Sequence, residues 1–147
     1  GHFKRMEILN YLGELRNYRT FKTDDEGRVI ETRHYFPGLS PELRFVVKYF
    51  WEGGNIVRSE DYDGKNNLLH EWENEYDDKI NHLCASQKYI ENPDNWNQNN
   101  LIRSKAFDYT GALDLVANPL IYSYGYLEND LPFSITTNWG VMTILEY

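Results

Sequence analysis

The sequence predicts an all-β fold, an antiparallel sheet of repeated β-hairpins with one long polar loop near residues 82–100. Aromatic residues make up 16% of the 147 residues, and such side chains fit the pleated, half-buried surface of a strand. Turn signals recur at a nearly constant interval, and apolar residues alternate with polar ones between them. We therefore expect one domain over residues 1–147, with more than half of its ordered residues in strands.

The turn signals repeat along the chain. Gly1, Gly27 and Gly54 are separated by 26 and 27 residues, and the last two follow acidic residues or a second glycine. Weaker copies occupy residues 76–80 and 126–131. Glycine supplies a positive φ angle in tight turns, and Asp and Asn tolerate it, so each copy is predicted to reverse the chain.

Side chains alternate between two faces along several segments. One face of residues 44–51 carries Phe45, Val47, Tyr49 and Trp51. Along residues 69–76, one face carries His70, Trp72, Asn74 and Tyr76, and the other carries Glu71, Glu73 and Glu75. A third row consists of Tyr122, Tyr124 and Tyr126. This pattern is typical of a sheet with one solvated side.

These signals predict eleven strands, near residues 2–9, 14–23, 28–36, 44–51, 55–62, 68–76, 101–108, 112–116, 120–127, 133–138 and 141–147. A helix over residues 3–17 is the alternative for the first two, because Phe3, Met6 and Leu9 have helical spacing. The segment 10–13, Asn-Tyr-Leu-Gly, favours a turn instead.

The polar segment 91–100 interrupts the hairpins and contains a single proline and a single tryptophan. We expect a helical turn at Pro93, and we expect Trp96 to anchor the segment on the sheet while its Asn and Asp side chains make local backbone bonds. Long ordered loops are often functional, so Asn95, Asn97 and Asn99 are candidate ligand contacts together with Trp96. The alternative is an ordered connector that binds nothing.

Tryptophans are the other candidate ligand contacts. Trp51, Trp72 and Trp139, like Trp96, offer flat rings on which a sugar ring can stack, and the many tyrosines add further rings. The alternative is that they form cross-strand pairs that only stabilise the sheet.

No pattern in the sequence indicates catalysis, a metal site or a cofactor. The four histidines lack partners at metal-ligand spacing, and Cys84 is the only cysteine, so it is expected to be a buried apolar residue. Residues 61–66 faintly resemble a calcium loop, but a polar turn is the simpler interpretation. Glu71, Glu73 and Glu75 are expected to form a solvated face.

The net charge and the hydropathy of the chain restrict the kinds of partner that we expect for it. The net charge is −8 and the basic residues are scattered, which argues against nucleic acid as a partner. No apolar run approaches the length of a transmembrane segment. The chain begins at Gly1 without an apolar signal segment, which indicates a product trimmed at its N-terminus.

Several short motifs resemble a family of Bacteroidetes lipoproteins that contain a domain of unknown function and have hairpin units like those of YD-repeat (Rhs-like) proteins. The motifs are Asp24-Asp25-Glu26-Gly27-Arg28-Val29, Glu75-Tyr76-Asp77-Asp78-Lys79-Ile80-Asn81, residues 92–100 and residues 124–132. The resemblance implies a parent protein that is exported to the cell envelope or surface and anchored by lipid. It implies no catalytic residues.

Two functions are compatible with these features. The first is an exported binding or interaction module without catalysis, whose ligand is a glycan or a protein, because a hairpin sheet offers a broad face and edge strands. The alternative is a hydrolase that acts on polysaccharide or peptide through Asp and Glu residues that the sequence does not identify.

Overall fold

The computed structural model describes residues 4–40, 42–81, 93–111, 119–140 and 142–144. Its ten strands form a single antiparallel sheet in which each strand pairs with its neighbour in the sequence. The strands are β1 Lys4–Leu9, β2 Leu15–Thr23, β3 Val29–Tyr35, β4 Leu43–Glu52, β5 Asn55–Asp63, β6 Leu68–Ile80, β7 Asn99–Asp108, β8 Leu120–Tyr126, β9 Pro132–Thr137 and β10 Met142–Ile144. About two thirds of the described residues lie in strands, so the all-β antiparallel prediction is confirmed.

Three of the turns are five residues long and share one hydrogen-bonding pattern. In each of them the first residue is Asn or Asp, and its side chain accepts two of the hydrogen bonds. In the turn 24–28, the Asp24 N–H donates to the Arg28 carbonyl at 3.0 Å, and Asp24 Oδ1 accepts from the Glu26 and Arg28 N–H groups. The turns 10–14 and 63–67 repeat these bonds around Asn10 and Asp63. The fourth residue has a positive φ angle in all three, which explains the glycine or asparagine found there.

The repeat of 26 to 27 residues has a simple structural origin. Gly27 lies in the turn between β2 and β3, and Gly54 lies in the turn between β4 and β5, where Glu52 pairs with Asn55. Both turns lie at the same end of the sheet, because every second turn of an antiparallel meander returns to that end. One repeat therefore corresponds to two strands and two turns.

Some predicted elements differ from the structure. The helix considered for residues 3–17 is wrong, because β1, the turn 10–14 and β2 occupy the described part of that range. Residues 76–80 do not reverse the chain but form the end of β6, where the register with β7 shifts between Tyr76 and Ile80. Here the turn-like motif pairs with a neighbouring strand, so it produces a bulge-like irregularity in the hydrogen bonding between β6 and β7 and not a turn.

The polar loop is shorter than predicted. Its described part contains the expected helical turn, a 3-10 helix at Pro93–Trp96, and β7 already begins at Asn99. Residues 82–92, which include Cys84, lie outside the described residues, as does the strand predicted at 112–116. The described strand within the predicted range 141–147 covers Met142–Ile144.

Cross-strand pairing assigns the side chains to two faces, because residues directly opposite each other in adjacent strands share a face. The face we call the pocket face includes the row Val47, Asp61, His70 and Asp108, on β4 to β7. The opposite face, called the charged face, includes the row Lys22, Glu31, Lys48, Glu60 and Glu71. The predicted solvated face is confirmed at Glu73 and Glu75, which are exposed, whereas Glu71 is half-buried.

Among the described residues, the fully buried apolar side chains lie in the first half of the sheet, towards the end that carries the turns at Gly27 and Gly54. Phe21 on β2, Val29 on β3 and Ile56 on β5 have no exposed surface. Ile56 lies beside the polar segment that precedes β7, so it connects this core to the pocket described next.

Candidate ligand-binding site

The pocket face contains a pocket of about 510 Å³, which lies over β4 to β7. Its floor follows the pairing of these strands, since Tyr49 lies opposite Ser59 and Ser59 lies opposite Trp72. The next row adds Val47 and Asp61. The lining residues are Val47, Tyr49, Ser59, Asp61, Trp72, Asn74, Tyr76, Asn81, Asn97, Asn99, Asn100, Leu101, Ser104, Tyr124, Pro132 and Ile135.

Asparagines form one end of the pocket and join residues 97–99 to the turn between β4 and β5. Asn97, only 6% exposed, accepts a 2.6 Å hydrogen bond at Oδ1 from the Ile56 N–H. Asn55 and Asn99 bond reciprocally, because Asn55 Nδ2 donates to Asn99 Oδ1 and Asn55 Oδ1 accepts from the Asn99 N–H, both at 2.9 Å. Asn99 Nδ2 also donates to the Lys79 carbonyl at 3.0 Å.

Polar groups on β6 complete this end of the pocket. Asn74 Nδ2 and the Tyr76 hydroxyl both donate to the Ile56 carbonyl, at 3.1 and 2.8 Å. Asn74 Oδ1 accepts from the Ser104 hydroxyl at 2.8 Å, and Asn81 Nδ2 donates to the Asn97 carbonyl at 3.2 Å. These bonds fix the orientation of several polar groups in the pocket.

Tyr124 of β8 lines the pocket beside a place where the sheet is weakly joined. β7 and β8 share only two paired positions, Arg103 with Ile121 and Ser104 with Leu120. Tyr124 bridges the two strands by donating from its hydroxyl to the Leu101 carbonyl at 2.9 Å. Burial, with the nearby Asp77 carboxylate, raises the pKa of Tyr124 to about 12. The hydroxyl is therefore a permanent donor near neutral pH.

Tyr126 makes a second bridge from β8, reaching β6 and β7. Its hydroxyl donates to Asp77 Oδ2 and accepts from Asn100 Nδ2, the latter at 3.0 Å. Burial and the hydrogen bond to Asp77 raise the pKa of Tyr126. Asp77 also accepts a hydrogen bond from the Asn100 N–H at 3.1 Å. The Asp77 carboxylate on β6 is therefore bonded to both β7 and β8.

The charge of the pocket is low. Asp61 is the one carboxylate among its lining residues, and no lysine, arginine or histidine lines it in the described part of the chain. Asp61 and Tyr49 already have interactions of their own. The lining is thus dominated by aromatic rings, amides and hydroxyls, which are groups that hydrogen-bond neutral polar ligands and contact their apolar surfaces.

Only some of the residues predicted as ligand contacts line this pocket. Trp72 lies in the pocket, and Asn97 and Asn99 line it while their amides bond the protein as described. Trp96 is partly buried at the end of the 3-10 helix, and the side chain of Asn95 lies outside the described residues. Trp51 lines a separate pocket on the charged face. The local Asx turns expected within residues 91–100 are replaced, at Asn97 and Asn99, by bonds to residues about 40 positions away.

Several lining residues were absent from the predicted site. Tyr49, Asn74 and Tyr76 belong to the alternating rows that the sequence displays, and Tyr124 belongs to the third row. The rows show which residues share a face of one strand. They do not show which rows meet, because this depends on the register between strands.

Catalytic or metal-binding arrangements were sought as well. His70 Nε2 lies 3.7 Å from Asp108 Oδ1, which also accepts from the Thr110 N–H at 2.8 Å and so supports the end of β7. No three His, Cys, Asp or Glu side chains converge as metal ligands within the described ranges. Nor do these ranges contain a helix with the length and hydropathy needed to cross a membrane.

No known protein-family model matches the chain, and no curated protein sequence matches it significantly. The geometry of the pocket is therefore the basis for assigning a function.

Proposed function

We propose that this chain is a binding module without catalytic activity, and that its pocket binds a neutral glycan. The observation that carries the proposal is the composition of the pocket, in which Trp72, Tyr49, Tyr76 and Tyr124 lie beside amides and hydroxyls. Sugar rings present apolar C–H surfaces together with hydroxyl groups, so they need both kinds of partner. A volume of about 510 Å³ is within the usual range for small-molecule sites.

The charge of the lining supports a neutral ligand. An anionic ligand would need a basic side chain, and the described lining has none. The net charge of −8 also disfavours anions at long range. An uncharged sugar loses less solvation energy on entering such a pocket than an ion does.

An exported location is part of the same proposal. It is supported by the resemblance of residues 24–29, 75–81 and 92–100 to Bacteroidetes lipoproteins. A module that binds glycans would act at the cell envelope or surface, where polysaccharides are accessible.

Binding should depend on Trp72. We expect isothermal titration with a panel of neutral oligosaccharides to identify a ligand that Trp72→Ala binds about tenfold more weakly, because an aromatic contact contributes about 1.5 kcal/mol. Trp139→Ala is the matched control, since Trp139 is 71% exposed in the turn after β9. Trp72→Phe, which keeps an aromatic ring, should bind with intermediate affinity.

The same ligands test the alternative of a hydrolase. Incubation with the wild-type chain at equimolar ratio should release no new reducing ends. Release that Asp61→Asn abolishes would instead assign catalysis to the one carboxylate of the described lining. The binding proposal fails if no neutral oligosaccharide binds, or if Trp72→Ala and Trp139→Ala bind equally well while both remain folded by circular dichroism.

A further inference from the structure

A second pocket, of about 460 Å³, lies on the charged face near the turn between β2 and β3. Its lining combines charged side chains with aromatic ones: Lys22, Asp24, Arg28, Ile30, Glu31, Lys48, Tyr49, Phe50 and Trp51. It differs from the first pocket in containing three basic residues, which is unusual on a chain whose net charge is −8.

The indole of Trp51 has a fixed position in this pocket. Its Nε1 donates to the Val29 carbonyl at 2.8 Å, and the Arg28 guanidinium lies 5.8 Å from the ring centre. The register between β4 and β5 shifts beside Trp51, since Phe50 pairs with Arg58 and Trp51 pairs with Ile56, which leaves Val57 of β5 unpaired. A flat ring held in this way is a preorganised surface for another ring.

The acidic side chains near the second pocket already have basic partners. Arg28 forms ion pairs with Asp24 at 2.8 Å and with Glu26 at 3.0 Å. Glu31, although it lies between Lys22 and Lys48 in the cross-strand row, pairs with Arg33 at 2.7 Å.

Among the described residues, the two lysines have no acidic partner. Within the described part of the chain, neither Lys22 nor Lys48 forms an ion pair with a carboxylate, and Lys48 Nζ lies over the Tyr62 ring at 4.2 Å from its centre. Glu60, opposite Lys48, accepts from the Tyr62 hydroxyl at 2.6 Å and pairs with Arg58 at 3.5 Å. The side chains of Lys22 and Lys48, on either side of Glu31 in the cross-strand row, thus both line a pocket that contains an aromatic ring.

We propose that this second pocket binds an acidic sugar, with the ligand carboxylate paired with Lys22 and Lys48 and the sugar ring against Trp51, while Arg33 holds the Glu31 carboxylate that lies between the two lysines. The lysines supply the charge, and the fixed indole favours a ring over an extended acidic peptide. This site goes beyond the neutral-glycan pocket and does not depend on it, because Trp51 and the two lysines are absent from the first pocket, although Tyr49 lines both.

The test uses trigalacturonate and its fully methyl-esterified form, which has the same sugar rings without the charge. We expect titration to show binding of the acid only. Lys22→Gln and Lys48→Gln should each weaken it about threefold to fivefold, since exposed charge pairs contribute up to about 1 kcal/mol. Lys65→Gln, which removes the same charge from the turn 63–67, should leave the affinity unchanged.

Other outcomes separate this site from the first one. Trp72→Ala should bind trigalacturonate normally, and Trp51→Phe should bind it more weakly. The proposal is overturned if trigalacturonate does not bind, if the methyl ester binds equally well, or if Lys65→Gln has the same effect as Lys22→Gln. Equal binding of a tri-glutamate peptide would show a general carboxylate site and overturn the assignment to a sugar.

Discussion

Gly64 lies where two segments of backbone approach too closely for a side chain. A Cβ atom at this position would lie 2.0 Å from the Leu43 carbonyl oxygen, and backbone atoms cannot rotate away as a side chain can. Gly13 is a contrasting case, because its φ angle is +80° but the space around it is open. The two glycines are therefore needed for different reasons, one steric and one conformational.

Alanine at these two positions should separate the two effects. We expect Gly13→Ala to lower the free energy of unfolding by about 1–2 kcal/mol, the cost of a left-handed backbone conformation. Gly64→Ala should cost about 3 kcal/mol or more, because the β5 end or Leu43 must move. Urea midpoints measure both, and equal midpoints would show that the contact with Leu43 relaxes freely.

His34 provides the clearest dependence of stability on pH at the level of one residue. It lies on β3 opposite Arg19, and burial together with this guanidinium lowers its pKa to about 4. The unfolded chain therefore binds a proton near pH 6.5 that the folded chain takes up only near pH 4. Stability contributed by neutral His34 is present above pH 6.5 and is lost as the pH falls towards 4.

The loss should be visible between pH 7 and pH 5, where most carboxylates stay ionised. We expect the wild-type free energy of unfolding to fall by about 1–2 kcal/mol over this range, allowing for the partial exposure of His34. His34→Gln should reduce the fall, because glutamine does not titrate in this range. Parallel pH profiles for wild type and His34→Gln, measured by urea unfolding, would contradict this assignment.

Among the elements, the junction between β7 and β8 is the weakest connection of the described sheet. Only two residue pairs join these strands, whereas β4 and β5 share eight. Tyr124 and Tyr126 replace the missing backbone ladder with side-chain bonds to Leu101, Asp77 and Asn100. The attachment of strands β8, β9 and β10 to the rest of the sheet therefore depends on a few tyrosine hydroxyl groups.

Tyr126→Phe removes one of these groups and leaves the partly buried Asp77 and Asn100 with fewer partners. We expect a loss of about 1–3 kcal/mol, the cost of an unsatisfied buried polar group. In native-state hydrogen exchange, the amides of β8 and β9 should become less protected while those of β4 and β5 do not change. Tyr122→Phe is the control, because no side-chain hydrogen bond of Tyr122 is formed within the described residues. Uniform loss of protection across the sheet would show that β8–β10 do not open separately.

The elements also show which features a sequence reveals. The turns at 10–14, 24–28 and 63–67 were predictable because all their bonds lie within five residues. The misassigned turn at 76–80 has the same local composition, but its conformation depends on pairing with β7, more than twenty residues away. Turn-forming residues thus predict a turn reliably only where the strands that pair around them are close in the sequence.

At the scale of the molecule, the fold class and most strands followed from alternation and turn spacing. The pocket did not, because it requires the register of four strands and bonds such as that between Asn97 and Ile56. Trp72 was predicted as a contact from its residue type, whereas Tyr49 and Tyr124 became recognisable only once their rows were placed side by side. Trp51 was predicted for the same reason and lies in the other pocket.

The neighbour-to-neighbour order of the strands has a consequence for how the chain folds. Most strand pairs are joined by short turns, so hairpins can form within about 1–10 μs and extend stepwise to either side. The longest connection lies between β6 and β7, which pair across residues 81–98. Loop-closure entropy makes this pairing the least favoured early contact, although it creates the end of the first pocket. We therefore expect the first pocket to assemble late, after the hairpins that supply its floor.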